Sequence, residues 1–296
     1  MRDPMAVMGR TMSVPADALD RTGPRPAHLG GVRELVALRE RILASGRTDQ
    51  GSGVTAEELR RVLATMFPPE SLELATIDGD SPTVTLDALE RYEAVHEITD
   101  RADLRRRLHP ADRLCFGLFH AALPAEPVVF TEIALTSDMP ESITEILAPD
   151  RVPQDADAAT AAVFYSISAA QPGLRGIAFG KLLISRAAAA LRRDHPRVRE
   201  VVTLSPMPGL RRWLATATEA EAPEAPPADD ALRSLSETYV RHARRVDGRP
   251  LDAVARFHLG NGASLDRIHV RADPSLRGMM QSFGAMASYR YERHDP

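Results

Sequence analysis

The residues with the most chemistry in reach lie between Gln171 and Gly180, Gln-Pro-Gly-Leu-Arg-Gly-Ile-Ala-Phe-Gly, where an expected strand meets an expected helix. Glycines at 173 and 176 let the backbone approach a ligand without Cβ interference. N–H groups left free at a helix start face an anion, and the helix dipole adds partial positive charge. Arg175 can supply a full one. A pyrophosphate suits such a turn, although the glycines alone fit an ordinary strand-to-helix turn equally well. No Gly-Lys-Ser/Thr follows, so the segment is not a P-loop, and its spacing differs from the dinucleotide-binding fingerprint. Two further side chains suit proton chemistry, Ser205 in Leu-Ser-Pro-Met-Pro-Gly and His258 in Phe-His-Leu-Gly-Asn-Gly-Ala. Taken singly, a serine before proline reads as a turn residue and a histidine in an apolar run as a hydrogen-bonded core residue. No acidic partner for His258 is identifiable, so a hydrolase triad is not indicated. His96 and His120 lack zinc-ligand spacing, and His96, one helical turn from Tyr92, is expected to pack on a helix surface. Cys115, inside Leu-Cys-Phe-Gly-Leu-Phe, reads as buried core.

Composition narrows the classes. The chain has 296 residues, 37 Lys+Arg and 41 Asp+Glu, hence a formal net charge of −4. That balance argues against a general nucleic-acid binder but leaves room for a local basic pocket. A single cysteine excludes an internal disulfide framework and a cysteine-rich zinc site. The first 25 residues mix Arg, Asp, Pro and Met without an apolar run, which is not the pattern of a secretory signal. No window approaches the roughly 20 apolar residues of a membrane span, so the expected compartment is the cytoplasm, with no membrane or nucleic-acid partner.

The elements that must hold these residues follow from periodicity. Residues 1 to about 30, rich in Pro and Gly, are expected to be disordered. Helical spacing of apolar residues predicts helices over Val32–Ala44, Thr55–Met66, Leu86–Ile98 and Ala102–Leu108. Thr55 and Glu58 form an expected capping box, Gly51-Ser52-Gly53 breaks the chain before it, and Pro68-Pro69 ends the second helix. From residue 111 the texture changes to strands over Arg113–His120, Val128–Leu135, Ala161–Ser168 and Glu200–Ser205, with a helix over Gly176–Arg192. Ala215–Asp230 reads as an acidic linker. A helix over Ala231–Val246, a strand over Ser264–Val270 and a helical stretch over Ser275–Met286 complete the pattern. Strands mixed with helices over about 150 residues indicate an α/β or α+β domain.

The turn Gln171–Gly176 resembles, with one residue of variation, the acyl-CoA pyrophosphate turn of GNAT acyltransferases. Other segments add to it in order: Tyr92-Glu-Ala-Val-His-Glu-Ile98, Asp103-Leu-Arg-Arg-Arg-Leu108, Asp112-Arg-Leu-Cys-Phe116, Glu126-Pro127, Glu132-Ile-Ala-Leu-Thr136, Phe164-Tyr-Ser-Ile-Ser168, Leu204-Ser-Pro-Met-Pro-Gly209, Val254-Ala-Arg-Phe-His-Leu-Gly-Asn-Gly-Ala263, Ala272-Asp273 and Tyr289-Arg-Tyr291. Together, over residues 32–291, they resemble the malonyl-CoA decarboxylase family. The resemblance implies an α+β architecture: a small helical domain over 31–110, then a GNAT-like mixed-sheet domain over 111–296. It implies Ser205 and His258 as the catalytic pair, and Gln171, Gly173, Arg175, Gly176, Ser166, Asn261 and Tyr291 as substrate-binding residues. It implies no metal and no cofactor beyond the CoA carried by the substrate. The chain departs from the family pattern at Ala178, where some members are acidic, at Ser288 before Tyr289, and at His269. Its helical part is short, so the family's oligomerisation surface is reduced, with a homo-oligomer left open.

The implied reaction asks little of a protein. Losing CO2 from a malonyl thioester leaves an enolate, and the thioester carbonyl itself accepts the electrons. The site must align the breaking C–C bond with that carbonyl, stabilise the oxyanion with fixed donors, and deliver a proton to carbon. Ser205 is expected to donate a hydrogen bond, and His258, with an ordinary pKa near 6.5, to donate another and supply the proton. Pro206 and Pro208 would stiffen the serine turn; Asn261 and Gly262 would orient the histidine loop. The thioester could be malonyl or methylmalonyl, carried by CoA or by an acyl-carrier protein. Two other classes fit the same turn: a GNAT-type acyltransferase that needs an amine acceptor, and a non-catalytic acyl-CoA-binding homologue.

Overall fold

The middle of the chain is apolar on both faces of its strands, and this sets the architecture. A computed structural model describes residues 27–45, 54–217 and 225–292. Of the residues 1 to about 30 expected to be disordered, 1–26 lie outside the described residues, as do the Gly51–Gly53 break and the central part of the acidic linker; residues 27–30 are not disordered but begin a helix. In chain order the elements are α1 (Ala27–Ser45), α2 (Ala56–Met66), β1 (Leu72–Thr76), α3 (Thr83–Tyr92), α4 (Arg101–Leu108), β2 (Arg113–His120), β3 (Val129–Thr136) and α5 (Ile143–Leu147). They continue with β4 (Ala161–Ala169), α6 (Gly180–Asp194), β5 (Glu200–Thr203), β6 (Ser205–Pro206), α7 (Leu210–Ala217) and α8 (Asp229–His242). The last are α9 (Ala253–Gly260), β7 (Ser264–His269), α10 (Leu276–Ser282) and β8 (Met286–Arg290).

Among the described residues the strands form one mixed sheet in the order β1-β2-β3-β4-β5-β8-β6, with β7 also paired to β8. β1 to β4 run antiparallel; β4 and β5 are parallel, Ala161 opposite Glu200 through Phe164 opposite Thr203. A parallel pair needs a crossover, and α6 provides it. β3 is buried along its whole length because helices cover both faces. Leu183, Ala187 and Leu191 of α6 pack with Phe116, Ile133 and Phe164 on one side. Leu89 and Leu104 of α3 and α4 pack with Cys115, Phe119 and Phe130 on the other.

The stretch 31–110 is not purely helical. Leu72–Thr76 forms an edge strand against β2, with Leu72 opposite His120. Val32, Val36, Leu63 and Phe67 enter the same core as Phe164 and Leu183, so the hydrophobic core crosses the boundary expected at residue 111. The capping box is formed: Thr55 Oγ1 accepts from Glu58 N at 3.2 Å and Thr55 N donates to Glu58 Oε2 at 2.8 Å.

Two departures from regularity open the sheet. In the β3/β4 register, Glu132 faces Ser166 while Ile133 faces Phe164, so β4 carries one extra residue at Tyr165. Such a bulge bends a strand and re-aims its side chains. The strand expected over Glu200–Ser205 also splits. Leu204 N still donates to Phe164 O at 3.1 Å, but Ser205 pairs with Ala287 of β8 instead. Beyond Phe164 and Leu204, β4 and β5 part. The last expected helix stops at Ser282, because Phe283 (φ 55) and Gly284 (φ 76) turn left-handed, a common way to end a helix. Met286–Arg290 then becomes β8, which holds β5, β6 and β7 together. No helix among the described residues is long and apolar enough to cross a membrane.

Candidate active site

Ser205 and His258 come from segments 53 residues apart and meet where β4 and β5 part. Ser205 Oγ lies 3.1 Å from His258 Nε2, and it donates to Thr203 Oγ1 at 3.0 Å. His258 sits in the last turn of α9. That helix begins at Asp252, whose carboxylate accepts from Val254 N and Ala255 N, both at 2.9 Å, and from Tyr239 Oη at 3.1 Å. The cap fixes the start of a short helix, and the histidine projects from its end. There the Asn261-Gly262-Ala263 segment turns the chain, with Gly262 at φ 91 and Ala263 N donating to His258 O at 3.1 Å.

His258 Nδ1 lies 2.9 Å from Tyr291 Oη, and the imidazole stacks on Tyr289 at 4.7 Å between centroids. Both ring nitrogens therefore have partners, and neither partner is a carboxylate. The ring is only 4% exposed, and burial pushes its pKa down to about 3. This corrects the expectation of an ordinary value near 6.5: at neutral pH His258 is a neutral imidazole with one N–H. Burial likewise holds the Tyr291 phenol protonated, with its pKa raised.

One cavity, about 330 Å3 in volume, is lined by both groups of predicted residues. Ser205, Pro206 and His258 line it together with Gln171, Arg175, Gly176 and Gly180; Val129, Phe164 and Phe257 supply apolar wall, and Ser166 a polar spot. An apolar cleft with a few convergent polar groups is the usual form of a small-molecule site.

The turn itself differs in detail from its sequence reading. Gly176 has φ 85 and cannot start a helix, so α6 begins at Gly180, with Phe179 as an N-cap that makes no side-chain bond. Gly180 is glycine because a Cβ there would stand 2.3 Å from the Phe257 ring. Gly173 faces α1 rather than the cavity: its Cβ would stand 2.1 Å from Val36 O. Gln171 is tied back, its Nε2 donating to Pro127 O at 3.3 Å. Arg175 is exposed beside the cavity. Asn261 is absent from the cavity wall; its backbone N–H closes the end of α9.

Sequence reasoning passed over Arg39. Its guanidinium, buried between α1 and the turn, donates to Gly173 O at 2.6 Å, Arg175 O at 2.7 Å and Ala56 O at 2.7 Å. Its place in an amphipathic helix of several arginines gave no signal. His96 is not on a helix surface, since α3 ends at Tyr92; it is largely buried near Tyr165, and burial lowers its pKa to about 4. Cys115 is buried as expected, and burial raises its thiol pKa. Two positions noted as departures, His269 and Ser288, are partners: His269 Nε2 lies 3.2 Å from Ser288 Oγ.

Comparison with known proteins identifies relatives of the chain and of its fold. The malonyl-CoA decarboxylase C-terminal domain matches residues 71–230 and 218–295. The mitochondrial malonyl-CoA decarboxylase of Anser anser anser is 33% identical over 313 residues, covering 90% of this chain and 62% of the goose protein, so the chain spans less than two thirds of that relative. The crystal structure of malonyl-CoA decarboxylase from Agrobacterium vitis superimposes with a TM-score of 0.81 at 41% identity, over 90% of this chain and 70% of that one. The GNAT-like decarboxylase GphF, solved in complex with isobutyryl-CoA, shares the fold at a TM-score of 0.51 and 22% identity, over 74% of this chain and 98% of that one. The family model spans most of the chain, and a relative above 30% identity covers 90% of it: the chain belongs to the malonyl-CoA decarboxylase family.

Proposed function

We propose that this chain decarboxylates a malonyl-type acyl thioester, malonyl-CoA first among them, using Ser205 and His258. One observation carries the reading: the two side chains lie 3.1 Å apart on a cavity whose wall also includes Arg175 and Gly176. The exposed Arg175 and the glycine turn favour a nucleotide-bearing carrier. The pantetheine arm would enter between the parted β4 and β5, where Phe164 and Phe257 give it an apolar wall.

At the reacting end the protein supplies donors and exclusion of water. The Ser205 hydroxyl and the single N–H of a neutral His258 hydrogen-bond the oxygens of the acyl group. As the carboxylate departs as CO2, the electron pair of the breaking C–C bond moves onto the thioester oxygen, and those donors hold the enolate. One proton then reaches the α-carbon through the Ser205–His258 pair and is replaced from solvent. Because His258 is neutral before the reaction, it acts as a positioned donor rather than as a standing imidazolium. The thioester is the electron sink, so the scheme calls on no metal.

The test is incubation with malonyl-CoA alone, with methylmalonyl-CoA and the carrier-protein thioesters as further arms, read by mass spectrometry. Equimolar CO2 and acetyl-CoA from malonyl-CoA, reduced at least about 100-fold in His258→Gln (about 2.7 kcal/mol of barrier), supports the proposal. Turnover that waits for an added amine identifies an acyltransferase. Binding without turnover identifies a non-catalytic homologue. Either result overturns the proposal.

A further inference from the structure

The wall of the cavity formed by β4 is polar at Ser166, and the orientation of that hydroxyl is set from behind. Ser166 Oγ donates to Glu93 Oε2 at 2.6 Å, and Ser168 Oγ donates to the same oxygen at 3.0 Å. The other oxygen, Glu93 Oε1, accepts from Val95 N and His96 N, both at 2.8 Å. Four donors converge on this one carboxyl group, and both of its oxygens accept. The Ser166 proton is committed to Glu93, and only lone pairs of that hydroxyl are left to face the cavity.

The same face is already unfavourable to negative charge. Glu132, opposite Ser166 in the β3/β4 pairing, is completely buried, and its pKa is raised to about 8, by burial first and by Glu93 next. Arg107 stands 3.2 Å from Glu132 Oε2 but is also engaged by Asp103 and by the carbonyls of His96 and Glu97. Arg277 donates to Ala94 O. Neither guanidinium lines the cavity.

We propose that Glu93 is a positioning residue that makes the β4 wall acceptor-only, so that a carboxylated acyl group is turned away from Ser166 and toward Ser205 and His258. This rests on the decarboxylase reading and adds to it how the substrate's orientation is chosen. Ser166 and Ser205 flank the opening where β4 and β5 part, one residue beyond Leu204 and two beyond Phe164. A malonyl carboxylate entering there meets lone pairs backed by a carboxylate on one side. On the other it meets the Ser205 hydroxyl, which is held only by the neutral Thr203 Oγ1 at 3.0 Å and can turn to donate to it, and the His258 N–H. Like charges brought together out of bulk water repel strongly, and discrimination built on repulsion is as effective as added attraction.

Glu93→Gln tests this with almost no change of shape. The amide oxygen can keep the bonds from Val95 N and His96 N. The amide nitrogen then faces the two serines as a donor, which frees a serine proton toward the cavity. A carboxylate can now bind on the wrong wall, and unproductive binding lowers KM and kcat together. The expected result is a fall of about tenfold in both for malonyl-CoA, with kcat/KM within about threefold and the Kd of acetyl-CoA, which has no carboxylate, within about twofold of wild type. A KM unchanged or raised, or acetyl-CoA affinity that weakens in step, overturns the proposal and leaves Glu93 a packing residue. If Glu93→Gln does not fold, Glu93→Asp serves instead. It keeps the charge, so the ratio of malonyl-CoA KM to acetyl-CoA Kd should stay within about threefold of wild type even if both move; a tenfold change in that ratio overturns the proposal. Wild-type protein that binds no acetyl-CoA and turns over no malonyl-CoA is a different failure, since it removes the decarboxylase reading itself and this inference with it.

Discussion

Tyr291 Oη stands 2.9 Å from Nδ1 of His258, on the opposite side of the ring from Ser205. The histidine is thus held by two hydroxyls, with no carboxylate to stabilise a positive charge on it. That arrangement keeps it neutral and fixes the plane of its ring, which suits donation to a developing oxyanion better than standing acid chemistry. Tyr291→Phe leaves one buried nitrogen without a partner. We expect a fall in kcat of about tenfold and a loss of about 1–3 kcal/mol in unfolding free energy, read by steady-state kinetics and urea denaturation. A variant with wild-type kcat would show that Ser205 alone orients the ring.

Arg39 predicts a different kinetic signature. It holds three carbonyls, two of them in the turn beside the cavity, and touches nothing at the Ser205 end. Arg39→Met strands those acceptors and should cost about 2–4 kcal/mol of stability. KM for malonyl-CoA should rise about tenfold while kcat falls less than threefold. The reverse pattern, kcat lost at constant KM, would separate the turn from substrate binding.

Two buried histidines give the stability a definite pH dependence. The folded-state pKa values are lowered, to about 3 for His258 and about 4 for His96, by burial in each case; in the unfolded chain they return to about 6.5. Below about 6.5 the unfolded state takes up protons that the folded state refuses, so stability drops as pH falls, by about 1.4 kcal/mol per unit for each histidine. The contribution is complete above pH 6.5 and is lost on the way down to the folded values. Urea denaturation from pH 7 to pH 5 should therefore show a slope flatter by one proton in His96→Gln than in wild type. Equal slopes would mean that His96 titrates normally in the fold.

The chemistry also predicts an indifference to chelators. With the thioester carbonyl as electron sink, dialysis against EDTA should change malonyl-CoA turnover by less than about twofold, a barrier change under about 0.5 kcal/mol. Activity lost with EDTA and restored by a divalent cation would require a different assignment of the oxyanion's partner.

How much of this was legible in the sequence depended on the range of the interactions. β2, with its unbroken apolar run, was read at its observed bounds, and the Thr55/Glu58 cap was visible because its two partners are three residues apart. β1 and β8 were not legible. Leu72–Thr76 is a short strand whose place is set by β2, and Met286–Arg290 is a strand because β5, β6 and β7 need a partner. Ser205 and His258 each looked ordinary alone and gained meaning only through their flanking motifs. Arg39 left no trace, and Glu93 stood inside a quoted segment with no role assigned, because each has partners more than 70 residues away in sequence. The helix expected from Gly176 failed on one dihedral angle: a positive φ at 176 delays the helix to Gly180, so a turn comes between Arg175 and the helix start, and both line the cavity.

The central claim is spatial, and a crystal structure of this chain with acetyl-CoA tests it most directly. The account predicts the diphosphate against the backbone of residues 174–180 near Arg175, the pantetheine arm between β4 and β5, and the thioester oxygen within hydrogen-bonding distance of Ser205 Oγ or His258 Nε2. A thioester bound away from both side chains, or a CoA seated elsewhere on the molecule, would contradict it.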